Sequence, residues 1–211
     1  MRKLIVGLLL FVSASAARAQ GDEQLTPVAE PTVAPRVQVG VAFLPMVLGK
    51  VATGPSGHST SSNLDASYGV GLSIGYRILS GLSVGIAPQV VFHLSSKDYG
   101  GYPVIESEKE YDLMARIAYA YTVIPKLDIY AEVLPGYAIV TYNQIILGVQ
   151  SPNAKGIVLG GGVGAAFAIT DRLFVNAGVG YQLGFQKVSY IRDDDVKTKF
   201  LRIALGGGVK F

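Results

Sequence analysis

From residue 36 onward, bulky apolar residues recur at every second position, not at the three-and-four spacing of a helix. Val37, Val39, Val41 and Phe43 share one phase, with Gln38, Gly40 and Ala42 in the other. The same alternation returns in Tyr68–Ile78, Leu82–Leu94, Tyr111–Val123, Leu127–Ile139, Ile157–Ile169, Leu173–Phe185 and Leu201–Phe211. Side chains along a strand point alternately to opposite faces, so each segment has one bulky apolar face and one small or polar face. Eight strands are predicted.

The second face decides the class. It consists of Gly, Ala and Ser with isolated charges, and in the sixth segment it carries no charge at all. A water-soluble barrel would turn a face rich in Lys, Asp and Glu outward. Small residues suit the crowded lumen of a narrow barrel whose apolar face meets lipid. The connections agree. Leu79–Gly81, Ile124–Lys126 and Thr170–Arg172 are short, and they alternate with Gly49–Leu64, Ser95–Lys109, Asn143–Lys155 and Lys187–Val196. Outer-membrane barrels have short periplasmic turns and longer extracellular loops. Closure lets every backbone group pair without water and removes the sheet edges. Aromatic residues fall near both predicted ends: Tyr68, Phe92, Tyr111, Tyr137, Tyr142, Tyr181 and Phe185 by the long loops, and Tyr76, Tyr119, Tyr121, Phe167 and Phe211 by the short turns. Residues 36–211 are therefore expected to form an all-β, eight-stranded antiparallel up-and-down transmembrane β-barrel in a bacterial outer membrane.

The N-terminus supplies the route. Met1-Arg2-Lys3 is followed by an apolar stretch from Leu4 to Val12 and by small residues ending Ala17-Arg18-Ala19. This predicts a secretory signal over 1–19, cleaved before Gln20, because the apolar run falls short of the roughly 20 residues that span a bilayer. Residues 20–35 carry Pro27, Pro31 and Pro35 and read as an extended periplasmic lead-in. The formal charge of +3 loses its meaning here. Three of the 18 basic residues lie in the signal, leaving fifteen against fifteen acids. No nucleic-acid partner is expected. With no cysteine there are no disulfides, thiolate metal sites or thiol nucleophiles.

The signal peptide, the turn Thr170-Asp171-Arg172-Leu173 and the last strand, Leu205 through three glycines to Val209 and Phe211, carry a family likeness. The chain resembles the small OmpA/OmpX-like outer-membrane barrels. That resemblance implies contact with outer-membrane lipid and lipopolysaccharide, a monomer, and recognition of the terminal Phe211 by the barrel-assembly machinery. No peptidoglycan-binding domain follows Phe211, so the family's tether to the cell wall is not expected.

Candidate chemistry is sparse. Arg77, Asp112, Arg116, Asp128, Glu132 and Arg202 take the lumen phase. Buried ions are costly unless paired, so these residues are expected to form a salt-bridged plug, with a gated narrow pore as the alternative. Arg116 and Glu132 fall on neighbouring strands. His93 and Ser95 share a face, with Glu106, Glu108 and Glu110 across the loop. The spacing is similar to that of outer-membrane lipid A deacylases, which use Ser, His and Glu. Those enzymes act on the outer wall, whereas His93 has the lumen phase. His58 reads as a solvated loop residue, and Asp193-Asp194-Asp195 as a solvated loop tip without calcium-loop spacing. Gly160–Gly164 lies within a strand and lacks the strand-to-helix context of a phosphate loop. No cofactor or metal is expected. The expected function is non-enzymatic, either envelope-structural or surface contact through the four long loops. A narrow pore comes second and a lipid A-modifying enzyme third.

Overall fold

The computed structural model describes residues 37–54, 60–63, 66–99, 102–143, 153–189 and 193–211. The predicted signal and lead-in, and His58, lie outside the described residues. The described residues form nine strands: β1 (Val37–Gly54), β2 (Thr60–Asn63), β3 (Ala66–Arg77), β4 (Leu82–Tyr99), β5 (Tyr102–Ile124), β6 (Leu127–Asn143), β7 (Asn153–Ala168), β8 (Leu173–Ser189) and β9 (Asp193–Lys210). Eight of them, all but β2, pair in chain order, and β9 returns to β1 to close the wall. Every pairing is antiparallel, so the expected up-and-down barrel of eight wall strands is what forms. The short β2 pairs only with the outer end of β1, from Lys50↔Asn63 to Thr53↔Thr60.

The strands run further than the apolar alternation predicts. Between β4 and β5 the ladder continues through Ser95↔Glu106 and Lys97↔Val104 to Tyr99↔Tyr102, across the predicted loop. Asp193–Asp195 likewise opens β9 and pairs with Lys187–Ser189 instead of forming a loop tip. Alternation is imposed by lipid on one side and a lumen on the other, and it ends where they end. Backbone hydrogen bonding has no such limit, so a hairpin can project past the membrane.

The seam between β1 and β9 holds one irregularity. Met46 faces Arg202 and Val51 faces Thr198, so one extra residue is inserted on β1 between positions of equal phase. Leu48 sits in that bulge with φ of 53°, which is uncommon for a β-branched-free apolar residue outside a turn. Even-numbered positions point inward below the bulge (Ala42, Leu44, Met46), and Val51 points inward above it.

At the opposite end the turns are tight. Gly81, with φ of 84°, lies against the Ala120 carbonyl, where a Cβ would come within 2.5 Å. At Thr170 the hydroxyl accepts the Leu173 N–H at 2.9 Å, while the Thr170 N–H donates to the Leu173 carbonyl at 3.2 Å. Outside the wall, Phe43, Leu113, Ile157, Val163 and Leu205 are among the exposed bulky residues that form the lipid-facing surface. Tyr68 and Phe92 stack on it with ring centroids 5.4 Å apart. Inside, the core is the lumen itself.

Candidate functional site

With lipid on one side of the wall, polar chemistry concentrates in the bore, where it forms layers that bridge facing strands. Nearest the short turns, Asp128 on β6 accepts the Thr122 hydroxyl at 2.6 Å and faces the Lys210 ammonium at 3.7 Å. One step up, the Asn176 amide of β8 donates to the Tyr130 hydroxyl at 3.4 Å. Tyr130 fits because the wall opposite is glycine: a Cβ at Gly164 would come 2.6 Å from the tyrosine ring. The strand glycines therefore supply the room that a bulky lumen side chain takes up.

The next layer is ionic. Arg116 on β5 donates through Nε to Glu132 Oε2 at 2.8 Å, and Arg202 on β9 donates through Nη2 to Oε1 at 2.7 Å. One carboxylate thus bridges two guanidiniums from opposite sides of the barrel, and the Arg116 guanidinium lies 5.9 Å from the Tyr130 ring centroid. Two cavities flank this layer. One, of about 80 Å³, is lined by residues including Arg77, Gly81, Arg116, Asp128 and Lys210. The other, of about 70 Å³, includes Gln89, Arg116, Glu132 and Arg202. Each has room for water.

Above the ionic layer the bore is filled. Gln89 donates to Asp112 Oδ2 at 2.6 Å and to Gln182 Oε1 at 2.9 Å, and Gln182 donates to the same Asp112 oxygen at 2.8 Å. This triangle ties β4 and β5 to β8 across the lumen. Leu44, Met46, Val91 and Phe200 pack on one side of it, and Met114, Leu134, Ala138 and Val158 on another. Higher still, Ser67 Oγ lies 2.8 Å from His93 Nδ1, and His93 Nε2 lies 2.9 Å from Glu110 Oε2. The tautomer that satisfies both bonds carries its proton on Nε2. Gln186 donates to Glu110 Oε1 at 3.4 Å, and the His93 ring stacks on Phe200 with centroids 5.0 Å apart.

Ser67, His93 and Glu110 have the connectivity of a nucleophile, a base and an orienting acid. They are 7%, 2% and 0% exposed, so the cluster is almost entirely enclosed by the wall and its neighbours. The sequence placed His93 correctly but offered Ser95 as its partner. The residue beside it is Ser67, on β3, because the β3–β4 register sets Ser67 opposite His93.

The six lumen residues named from sequence do not form one network. Arg116, Glu132 and Arg202 meet, and Asp128 meets Lys210. Asp112 belongs to the glutamine layer, away from the arginines, and Arg77 lines the lower cavity, with no ion pair recorded for it among the described residues. Sequence reasoning missed Tyr130, Ser67 and Gln186. Their inward phase was readable, but which residues meet across a bore depends on how far each strand is staggered. Phe211 donates its N–H to the Val37 carbonyl at 2.9 Å, extending the closing seam by one residue, and its ring is exposed. Among the described residues no group of His, Asp and Glu could hold a metal ion.

A closed antiparallel wall with an apolar exterior and a bore packed with its own side chains defines a small outer-membrane β-barrel. Residues 4–211 match the family model described as outer membrane protein beta-barrel domain, and the chain belongs to that family, in the bacterial outer membrane. Among solved structures it is similar to the outer membrane protein OprG from Pseudomonas aeruginosa, at 15% identity and a TM-score of 0.57, covering 84% of this chain and 95% of that one. Neisserial surface protein A gives 18% identity and a TM-score of 0.50 over 84% and 97% of the two chains. AlkL in lipid bilayers gives 13% and 0.50 over 90% and 97%. At these identities the likeness is one of fold. No curated protein sequence matches the chain.

Proposed function

We propose that this protein is a closed, non-enzymatic barrel that acts at the cell surface through its long-loop end, as a structural element of the envelope or by contact with a surface ligand. Its supporting observation is the layer in which Gln89, Asp112 and Gln182 bond to one another across the bore, all at most 4% exposed. Eight strands enclose a space that side chains can fill, and here they leave no room for a solute beside them. On this reading Arg116, Glu132 and Arg202 brace the wall. Residues 1–19 act as the export signal, 20–35 as a periplasmic lead-in, and Phe211 as the assembly signal of a monomeric barrel. The projecting β4–β5 hairpin supports a surface role, because its paired backbone holds residues beyond the apolar belt.

The test is electrical. Refolded protein in planar bilayers is expected to give no steady conductance at moderate voltage, and a reproducible open channel would overturn the plug. The narrow-pore reading has the two lower cavities in its favour, and it predicts that channel.

A further inference from the structure

The outer wall carries a charged sector that the closed lumen does not explain. At the long-loop end, Lys155 on β7 lies directly opposite Lys187 on β8. Lys50 on β1 lies directly opposite Lys199 on β9. Lys197, opposite Phe185, falls between these two pairs. All five share the outward phase of the lipid-facing residues and all five are exposed. Like charges directly across a ladder are destabilising, yet this sector holds two such pairs on four adjacent strands, β7, β8, β9 and β1. Asp195 takes the position opposite Lys187 on its other side. Asp193 shares that phase two residues further along β9, so five lysines stand against two acids.

The height of the lysines matters as much as their number. Lys155 and Lys187 each stand two residues above an exposed apolar side chain, Ile157 and Phe185. Two residues of a strand tilted by about 40° rise roughly 5 Å. The ammonium groups therefore sit just outside the hydrocarbon, while their methylene stems run along the apolar wall. The charge is also one-sided. At the short-turn end the outward positions Ile78, Tyr121, Val123 and Ile169 are apolar or aromatic, Lys210 turns into the lumen toward Asp128, and the exposed Lys126, Asp171 and Arg172 lie in separate turns without forming a ladder of paired cations.

We propose that Lys50, Lys155, Lys187, Lys197 and Lys199 form a phosphate-binding site on the outer wall that takes the phosphorylated headgroup of lipid A in the outer leaflet. Three features specify that ligand. The site lies at headgroup depth, among the described residues paired outward lysines of this kind stand at the long-loop end and not at the short-turn end, and the site spans roughly 15 Å, three strand spacings, which suits a lipid bearing more than one phosphate. Apolar neighbours Ile157, Phe185 and Tyr181 lie directly below for the acyl chains. This assignment is independent of whether the bore conducts.

The test uses the full mature barrel refolded into phosphatidylcholine vesicles, with native mass spectrometry counting the lipid that leaves with it. The vesicles contain bisphosphorylated lipid A, the same lipid A stripped of phosphate, or phosphatidylglycerol, and a further sample has inorganic phosphate alone. Wild type is expected to retain bisphosphorylated lipid A at least about tenfold better than the stripped form. The variant Lys50→Gln, Lys155→Gln, Lys187→Gln, Lys199→Gln is expected to lose that preference by about the same factor, from the contribution of each lysine near an anionic surface. The corresponding four-arginine variant, which keeps the charge, is expected to retain it. Heat-modifiable gel migration confirms that each variant is folded. Equal retention of the stripped lipid would assign binding to the apolar wall. Equal retention of phosphatidylglycerol, or displacement by inorganic phosphate, would reduce the site to general surface charge. Loss of binding to a sulfated polysaccharide in the glutamine variant, with lipid A retention unchanged, would assign the lysines to a soluble polyanion. Any of these results overturns the proposal.

Discussion

Replacing Glu132 by alanine removes a carboxylate that two arginines share. In the native barrel its oxygens accept from Arg116 at 2.8 Å and Arg202 at 2.7 Å, and the three side chains are 18%, 12% and 8% exposed in the order Arg116, Glu132, Arg202. Without Glu132 both guanidiniums remain inside the bore, facing each other. Breaking a buried ion pair by deleting one partner costs about 3–5 kcal/mol. Two adjoining cavities give these arginines access to water, which offsets part of that cost, so the expected loss is about 2–4 kcal/mol. The assay is a urea titration of the barrel in lipid vesicles, read by the gel shift between folded and unfolded forms. Tyrosine fluorescence gives a second readout, since the chain has 12 tyrosines and no tryptophan. The triple variant Arg116→Met, Glu132→Met, Arg202→Met separates charge from shape. With no ion left to strand, it is expected to return to within about 1 kcal/mol of the native barrel. A Glu132→Ala loss below about 1 kcal/mol would refute the bracing role, as would a triple variant less stable than the single one.

Three further outcomes are expected. Ser67→Ala leaves the buried Nδ1 of His93 without its partner and should cost about 1–3 kcal/mol in the same titration. Neither Ser67→Ala nor His93→Ala should alter the acyl content of lipid A from cells making the protein, measured by mass spectrometry, and a changed acyl pattern would show that the buried cluster reaches substrate. Phe211→Ala keeps the backbone bond to Val37 and should fold normally into detergent micelles. Its folding in vesicles that contain the assembly machinery should be slowed, and an unchanged rate there would remove Phe211 from that role.

The strands were legible because lipid writes the same rule at every second position. Leu113, Ile117 and Tyr119 on β5, or Ile157, Leu159 and Val163 on β7, leave one phasing open, and the structure adopts it. The bulge at Leu48 was not legible, since Pro45-Met46-Val47-Leu48 is apolar in both phases and marks no insertion point. Strand ends were misjudged for the opposite reason. Past the membrane, residues such as Ser95 to Lys97 continue the backbone ladder, and their sequence shows no alternation. In the lumen, adjacency was easier to read than opposition. Arg116 and Glu132 sit on neighbouring strands and could be matched, whereas Arg202, Gln182 and Gln186 arrive from across the bore. Their partners depend on stagger accumulated over several strands, which no single segment records.

The layered filling of the bore also bears on how the membrane insulates at this point. One cavity lies below the Glu132 layer among Arg77, Asp128 and Lys210, and the other lies beside that layer and reaches Gln89 and Leu134, while the packed region runs from about Met114 up to Glu110. Along a tilted strand the four steps between those two residues rise roughly 10 Å, a third of the ~30 Å hydrocarbon core. The barrel is therefore a cup closed by a thin septum near its outer mouth, not a uniformly filled rod. On the closed-barrel reading proposed above, a voltage or solute gradient across the outer membrane falls mainly over His93, Phe200, Gln182 and their neighbours, and the permeability barrier then depends on a handful of side chains in the upper half of the wall.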